Sequence, residues 1–464
     1  MNYNFDQKYY LTVNVREDSS SRFAEDYRSQ IFPSFSTAWR ISDESFMDNA
    51  NFIDELKLRA SYGEVGNQQT GTNFAYIPSL RTSEFYILGT NQDLVRAPAA
   101  YNYANPALSW ETSVQIDIGL DVVLFEGAIN ATFDYYQKTT NDLLVAVPVP
   151  GTSGFYPNTD ANVGSIENNG LEFSVGYNKT VNSDFNFSVN ANLTTVNNQV
   201  IDLAGSEIIT GIDLQSHRTA EGFEIGHFYG LQTDGLFQTQ ADIDSHATQT
   251  GAAPGDIKFK DLSGPNGVPD GLIDDLDRTY LGSPVPEFFY GFSLNANYRK
   301  FDLSIIGQGT SGNEIFNNAR LTLEDYTNST ESGDNQSISV LNRWTGPGSS
   351  NEIPRAIVNG GPNANNRMSD RWNEDGSFLR IRNIQLGYSI PQEAFSSIKA
   401  NMIKKGRVYV NAQNMFTFTN YSGLDPEATR GFTFSRGETP LISGQDDGRT
   451  PTPVTIQMGI QLTF

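Results

Sequence analysis

The chain has no cysteine, only three histidines, and no apolar run long enough to cross a membrane as a helix. Without cysteine, neither a disulfide framework nor a thiolate metal site can form. His217, His227 and His246 lack a metal-binding spacing such as i, i+4. A transmembrane helix needs about 20 predominantly apolar residues, which excludes helical spans. Positive charge is also scarce: 31 Lys and Arg against 54 Asp and Glu leave a net charge of -23. That balance argues against nucleic acid, which requires a basic face. The first ten residues carry no basic segment followed by an apolar one, so no signal peptide is read there. Instead Tyr9, Leu11, Val13 and Val15 alternate at once with Tyr10, Thr12 and Asn14. The expectation is that an upstream part precedes Met1, which is then an internal methionine.

What the chain does have is alternation and aromatics. The last eleven residues place Val454, Ile456, Met458, Ile460, Leu462 and Phe464 on one face of a strand. Thr455, Gln457, Gly459, Gln461 and Thr463 fall on the other, because side chains alternate with period two. A transmembrane strand needs about 9–11 residues with apolar side chains toward lipid and polar ones toward a lumen. A mean hydropathy of -0.41 is compatible with this, since alternation dilutes the hydropathy of every segment. With 21 Tyr and 30 Phe, aromatic residues make up 12% of the chain, a surplus that suits interfacial girdles.

Strands of the same kind are read at 9–15, 35–41, 56–62, 114–122, 129–135, 171–177, 185–193, 290–298, 301–305, 378–388 and 408–412. In the stretch Phe378-Leu-Arg-Ile-Arg-Asn-Ile-Gln-Leu-Gly-Tyr388 the apolar phase flips near Arg382-Asn383, which predicts a β-bulge. Connections at 42–54, 125–128, 180–184, 299–300 and 391–405 are short, and those between them are long. Outer-membrane barrels have this asymmetry, with short periplasmic turns and longer outer loops. If 198–286 holds either no spanning strand or two, the expectation is an all-β antiparallel transmembrane β-barrel of about twelve to fourteen strands with long extracellular loops.

Several stretches resemble one family. They are Leu56-Lys-Leu-Arg-Ala-Ser-Tyr-Gly63 with Gly66-Asn67, Gly255-Asp-Ile-Lys-Phe-Lys-Asp261, Asp270-Gly-Leu-Ile-Asp-Asp-Leu-Asp-Arg-Thr279, Leu281-Gly-Ser-Pro284 with Phe289-Tyr-Gly-Phe292, Asn342-Arg-Trp344 and the Phe378–Tyr388 stretch. In this order they look like the C-terminal part of the barrel of SusC/RagA-type TonB-dependent outer-membrane transporters of Bacteroidetes. The resemblance implies a larger barrel of about 22 strands with a plugged lumen. Residues 1–464 are then its incomplete C-terminal portion, with N-terminal signal, plug domain and first strands absent. It further implies location in the outer membrane, import of a bulky nutrient (glycan or peptide), a SusD-like surface lipoprotein as partner, and energy from TonB through the missing part. The alternatives are a self-contained smaller outer-membrane porin or adhesin and a secreted β-rich carbohydrate-binding protein.

No catalysis is expected. Glu111, Asp117, Asp121 and Asp134 fall at lumen-facing positions, where carboxylates are ordinary. Tyr101, Tyr103 and Trp110, then Phe155 and Tyr156, then Trp344 and Trp372 sit in outer loops and are the candidate ligand-binding residues. No cofactor is certain. Asp261, Asp270, Asp274 and Asp277 follow the Asp-Gly-x-Ile-Asp-x-x-Asp rhythm of a calcium loop, in which a glycine permits the turn and carboxylates wrap a hard cation. The competing reading is an acidic outer loop folded by Asx turns.

Overall fold

In the computed structural model, residues 1–464 are described except 71–72, 84, 101–102, 149–151, 153–157, 204, 206, 211–213, 326–334, 358–360, 398–402, 428 and 430–439. The chain forms two compact units, Met1–Tyr177 with Asn197–Ser206, and Asn178–Val196 with Glu207–Phe464.

The first unit is built on the long strands Tyr9–Ser19 (β1), Ser29–Arg40 (β2), Ile53–Asn67 (β3), Glu111–Leu124 (β4) and Ile129–Asn141 (β5), with the part of Ser165–Asn182 (β6) up to Tyr177. Each pairs antiparallel with the next. The register aligns rows of one character across the whole ladder. Tyr9, Trp39, Leu58, Leu120, Phe133 and Phe173 stand side by side. One residue along, on the other face, the row reads Tyr10, Ala38, Arg59, Gly119, Asp134 and Glu172.

The apolar face of this ladder is the exposed one. Ile118, paired with Ala60 and Tyr135, is 49% exposed, and Leu11, Phe35, Phe133 and Phe173 are exposed with it. The opposite face is polar and internally paired. Arg59 donates to both oxygens of Asp121 at 2.9 Å and to Asp134 at 2.8 Å. Gly119 lies directly beneath this bridge; a Cβ there would stand 2.0 Å from Asp134 Oδ1 and 2.7 Å from Arg59 Nη2. Gly119→Ala is therefore expected to force the bridge apart and lower stability by about 1–3 kcal/mol, the usual cost of overpacking, in a urea unfolding curve.

The second unit repeats the plan with Phe185–Thr195 (β7), Phe288–Tyr298 (β8), Phe301–Ser311 (β9), Phe378–Ile390 (β10), Lys405–Thr419 (β11) and Thr455–Thr463 (β12). These too pair antiparallel in order. One row is Phe187, Ala296, Leu303, Leu386, Val410 and Met458; the neighbouring row on the other face is Ser188, Asn295, Ser304, Gln385, Asn411 and Gln457. Met458, 82% exposed, confirms the closing strand as an apolar ribbon turned outward. On the polar face Arg407 donates to Asp302 at 2.9 Å, over Gly387.

The structure bears out the bulge: pairing with β9 and β11 skips Arg382, and Asn414 opposite takes the left-handed conformation, φ 53°. Twelve long strands are described, six named in each unit, and the described residues of 198–286 add no spanning strand. Asn197–Asp202 folds back on the start of β6, and the short strands that follow make small sheets of their own.

Three of the long connections carry structure of their own. Leu144–Pro148 pairs with Asn158–Asn162, and Phe85–Leu88 pairs with Asp93–Arg96. Glu314–Asn317 lies between Asn373–Asp375 and Gln445–Asp446.

The tightly buried apolar side chains lie mostly in these connections. Phe23, Phe32, Leu108 and Trp110 form one cluster in the first unit. Phe228, Phe316, Leu321, Met368 and Trp372 form another in the second, and Leu231, Leu236, Ile257, Phe259 and Ile273 a third. A wall greasy outside and charged inside, with dry cores among its loops, inverts a water-soluble sandwich and matches a barrel wall in lipid.

Candidate functional site: a polar cavity in the loop body

The second unit holds a cavity of about 1400 Å³. Its floor begins where the strand Glu314–Asn317 becomes the helix Asn318–Glu324. The Asn317 side chain caps that helix by accepting the Arg320 N–H at 2.8 Å, satisfying one of the amides a helix start leaves open. The cap fixes Arg320 and Glu324 on the cavity side. Arg320 donates to Glu374 at 2.8 Å and pairs with Glu324 at 3.5 Å, while Arg371 donates to Glu324 at 2.8 Å. Ser339 adds a hydroxyl to Glu324 at 3.0 Å.

Burial pulls the Arg371 guanidinium below its ordinary pKa, and Glu324 only partly offsets that. Burial also opposes the charge on Arg320, but Glu374 and Glu324 outweigh it and raise its pKa. Burial pushes the Glu374 carboxyl up; donors from Ser422 and Arg320 reverse the effect and hold it low. Glu324 is thus fully engaged between two arginines. Arg343, also lining the cavity, donates to the Val340 carbonyl at 3.3 Å and has no carboxylate partner among the described residues.

A second charged cluster holds the loop after β11. Arg380 and Asp425 are 3% and 2% exposed and joined at 2.5 Å; Arg380 also donates to Thr417 at 2.9 Å and pairs with Glu427. Arg382, in the bulge, pairs with Glu427 as well. Asp425 further accepts the backbone N–H of Glu427 at 2.9 Å and of Thr452 at 2.8 Å, so both ends of the connection between β11 and β12 are tied to one carboxylate.

The aromatic candidates are dispersed. Trp110 is buried against Phe23 and Phe32, and its indole N–H goes to the Arg28 carbonyl at 3.2 Å. Trp372 is buried, its N–H on the Arg367 carbonyl at 3.3 Å and Arg371 over its ring at 4.9 Å. Trp344 packs on the third cluster, donates to Gln238 at 3.2 Å, and has Gly255 against its ring. Trp110 and Trp372 hold loops together as buried anchors, and Trp344 is half-buried. Tyr103 is exposed, whereas Tyr101, Phe155 and Tyr156 lie outside the described residues.

In the acidic stretch, seven backbone N–H groups are taken up by the four carboxylates: Asp261 accepts from Asp270 and Gly271, Asp270 from Leu272, Asp274 from Leu276, and Asp277 from Leu262, Ser263 and Asp274. Among the described residues no three acidic or histidine side chains are grouped as metal ligands. Asp277 is fully buried, and the loop is organised as linked Asx turns and a capping box. Seating calcium requires exchanging those amide bonds for a cation. Calorimetry with millimolar calcium decides between the two readings: heat accompanied by a rise in melting temperature favours the cation, and no heat favours the loop of Asx turns.

Sequence reasoning missed the arginine–carboxylate groups. One signal was present: Arg380 and Arg382 share the inward face of a strand that is otherwise uncharged. Guanidinium groups placed there need partners.

In each unit a run of long antiparallel strands with one exposed apolar face and one polar, ion-paired face is the wall of a membrane β-barrel. Residues 1–415 match the model of the TonB dependent receptor-like, beta-barrel family, and the chain belongs to it. TonB-dependent receptor P3 of Formosa agariphila is 33% identical over 473 residues, covering 100% of this chain and 45% of that protein. TonB-dependent receptor SusC of Bacteroides thetaiotaomicron is 28% identical, covering 100% of this chain and 43% of the relative. Among solved structures, the RagAB peptide transporter superposes with a TM-score of 0.80 at 26% identity, covering 100% of this chain and 46% of that one. The chain is of SusC/RagA type and spans under half the length of these relatives. They are named as receptors and a transporter. Among the described residues no helix is long and apolar enough to cross a membrane, which leaves crossing by strands untouched.

Proposed function

We propose that this chain is the C-terminal portion of the barrel of an importer that moves a bulky nutrient, glycan or peptide, across the outer membrane. The long connections face the cell exterior, the short turns face the periplasm, and the cavity of the second unit receives part of the cargo. A SusD-like surface lipoprotein covers the loop bodies, and a segment ahead of Met1 supplies the plug and the contact with TonB. The observation that carries this reading is the two-faced ladder, apolar outside and ion-paired inside, in a chain of the SusC/RagA type. The exposed apolar rows need lipid, and the polar rows need a lumen.

The proposal is tested in cells by deleting the gene and following uptake of fluorescently labelled oligosaccharide and oligopeptide pools. Loss of uptake of one pool, restored by the intact gene and abolished when the proton-motive force is dissipated, is the expected result. Uptake of both pools unchanged by deletion contradicts it. The partner is tested by purifying the receptor in mild detergent, where a lipoprotein is expected to remain bound.

A further inference from the structure

The exposed apolar face of the second unit carries a groove of about 520 Å³. Its origin lies in the register. Two adjacent rows on that face read Leu386, Val410, Met458 and Tyr388, Val408, Ile460, so the short valines of β11 stand between longer side chains on β10 and β12. Phe301 of β9 pairs with Tyr388, and their rings lie 5.0 Å apart, which raises the wall on that side. On the far side Met458 and Ile460 are 82% and 70% exposed. A trough one side chain wide therefore runs along β11. Its shape suits a single acyl chain, and because lipid tails are as apolar as the trough, the gain is packing rather than release of water. Selection among lipids must then come from the headgroup.

The short connections at one end of this trough are charged against the trend of the chain. Connections 299–300 and 391–405 carry Arg299, Lys300, Lys399, Lys404 and Lys405, in a chain whose net charge is -23. The short connections 42–54 and 125–128 of the first unit carry Asp43, Glu44, Asp48, Asp54 and Glu126 and no lysine or arginine. The negative groups beside the basic set are Asp184, taken up by Arg299 at 3.2 Å, Glu393 and the carboxylate of Phe464, which leave this end positive. Lys300 directly precedes Phe301 at one edge of the trough. Lys404, whose N–H donates to the Thr463 carbonyl at 2.7 Å, stands at the start of β11, beyond Gly406, and Phe395 of the helix Gln392–Ser397 packs over that glycine. Both lysines are exposed and make no ion pair with a described residue. Phe301, Tyr388 and Phe395 thus form an aromatic fringe with cations just past it, the profile of a membrane interface that attracts anionic headgroups.

We infer that the trough along β11 is a binding site for an anionic glycerophospholipid, with one acyl chain on Val408 and Val410 and the phosphate between Lys300 and Lys404. The inference rests on the import reading for orientation alone: with the short turns in the periplasm, the site opens to the inner leaflet, which supplies phospholipid rather than lipopolysaccharide. Each lysine at a membrane surface favours an anionic lipid about fivefold, so the two together are worth roughly twenty-five-fold.

The test uses the receptor at the full length its gene encodes, stripped of lipid in detergent and titrated with phosphatidylglycerol, phosphatidylcholine or lipid A, with bound lipid counted by native mass spectrometry. Wild type is expected to show that preference for phosphatidylglycerol over phosphatidylcholine. Lys300→Gln combined with Lys404→Gln is expected to erase it and to leave phosphatidylcholine binding as it was. Val410→Trp, which fills the trough, is expected to weaken both lipids and keep the preference, with heat-modifiable gel mobility confirming that each variant is folded. Equal affinity for the two phospholipids in wild type, a preference that survives the double lysine variant, or tighter binding of lipid A than of phosphatidylglycerol overturns the inference. The import reading fails separately: it falls if deletion leaves uptake of both pools unchanged, a result that does not alter lipid binding by the purified receptor.

Discussion

Ile118→Lys is expected to destabilise the folded barrel by about 2–4 kcal/mol in lipid vesicles, the range for a lysine at the bilayer midplane of a β-barrel. Ile118 sits near the middle of β4 in the apolar row with Ala60, Tyr135 and Leu171, and its side chain is half exposed. If that face met water, replacing an exposed isoleucine by lysine would be worth no more than about 0.5 kcal/mol. The size of the effect therefore reports which solvent the face meets. The control lies three residues away on the other face: Gln115, exposed and paired with Lys138, should accept Gln115→Glu within about 0.5 kcal/mol. Urea unfolding in vesicles, followed by tryptophan fluorescence, measures both.

The second large effect is expected at Arg380. Arg380→Met leaves Asp425 buried beside Glu427 with no guanidinium between them, and breaking a buried ion pair by removing one partner costs about 3–5 kcal/mol. Adding Asp425→Leu recovers only part of this, because Asp425 also accepts the Glu427 and Thr452 amides. The native cluster has a defined acid dependence. Burial raises the Asp425 carboxyl, but the Arg380 donor and the two amides prevail and hold its pKa below the ordinary aspartate value. A depressed carboxylate contributes stability that is fully present above the unfolded pKa of about 3.9 and is lost as pH falls through the lower folded value. Arg380→Met should remove that acid-side loss along with the stability itself, so the variant's unfolding midpoint should change less between pH 5 and pH 3 than that of wild type.

Much of the wall was legible in the sequence because a strand's two faces are written locally. The closing strand, the turn at Arg299-Lys300 and the bulge near Arg382 all follow from the phase of alternating residues, and the ladder reproduces them. The loop bodies were not legible in the same way. Phe85-Tyr-Ile-Leu88 forms a strand without alternation, since all four of its side chains are exposed. The sheet around Glu314–Asn317 takes a parallel partner more than a hundred residues away, at Gln445–Asp446, which no local pattern announces. Aromatic residues in loops carry the same ambiguity. Trp110 and Trp372 look from sequence like platforms for a ligand, and the fold uses them as anchors. The cavity residues Arg320, Glu324, Arg343 and Arg371 were beyond reach, because helix, turn and loop bring them together from separate segments.

Residues 1–464 contain no cysteine, so once any cysteine elsewhere in the receptor is replaced by serine the central claim is directly measurable. Single cysteines placed in turn from Val114 to Val122 of β4 in the full-length receptor, each spin-labelled in lipid vesicles, report exposure to oxygen in the bilayer and to a water-soluble nickel complex. A lipid-facing ladder predicts strict alternation: oxygen-accessible at 114, 116, 118, 120 and 122, and nickel-accessible or shielded by neighbouring side chains at 115, 117, 119 and 121. Nickel access at both sets of positions, with no rise in oxygen access at the centre of the strand, would contradict a wall that spans the membrane.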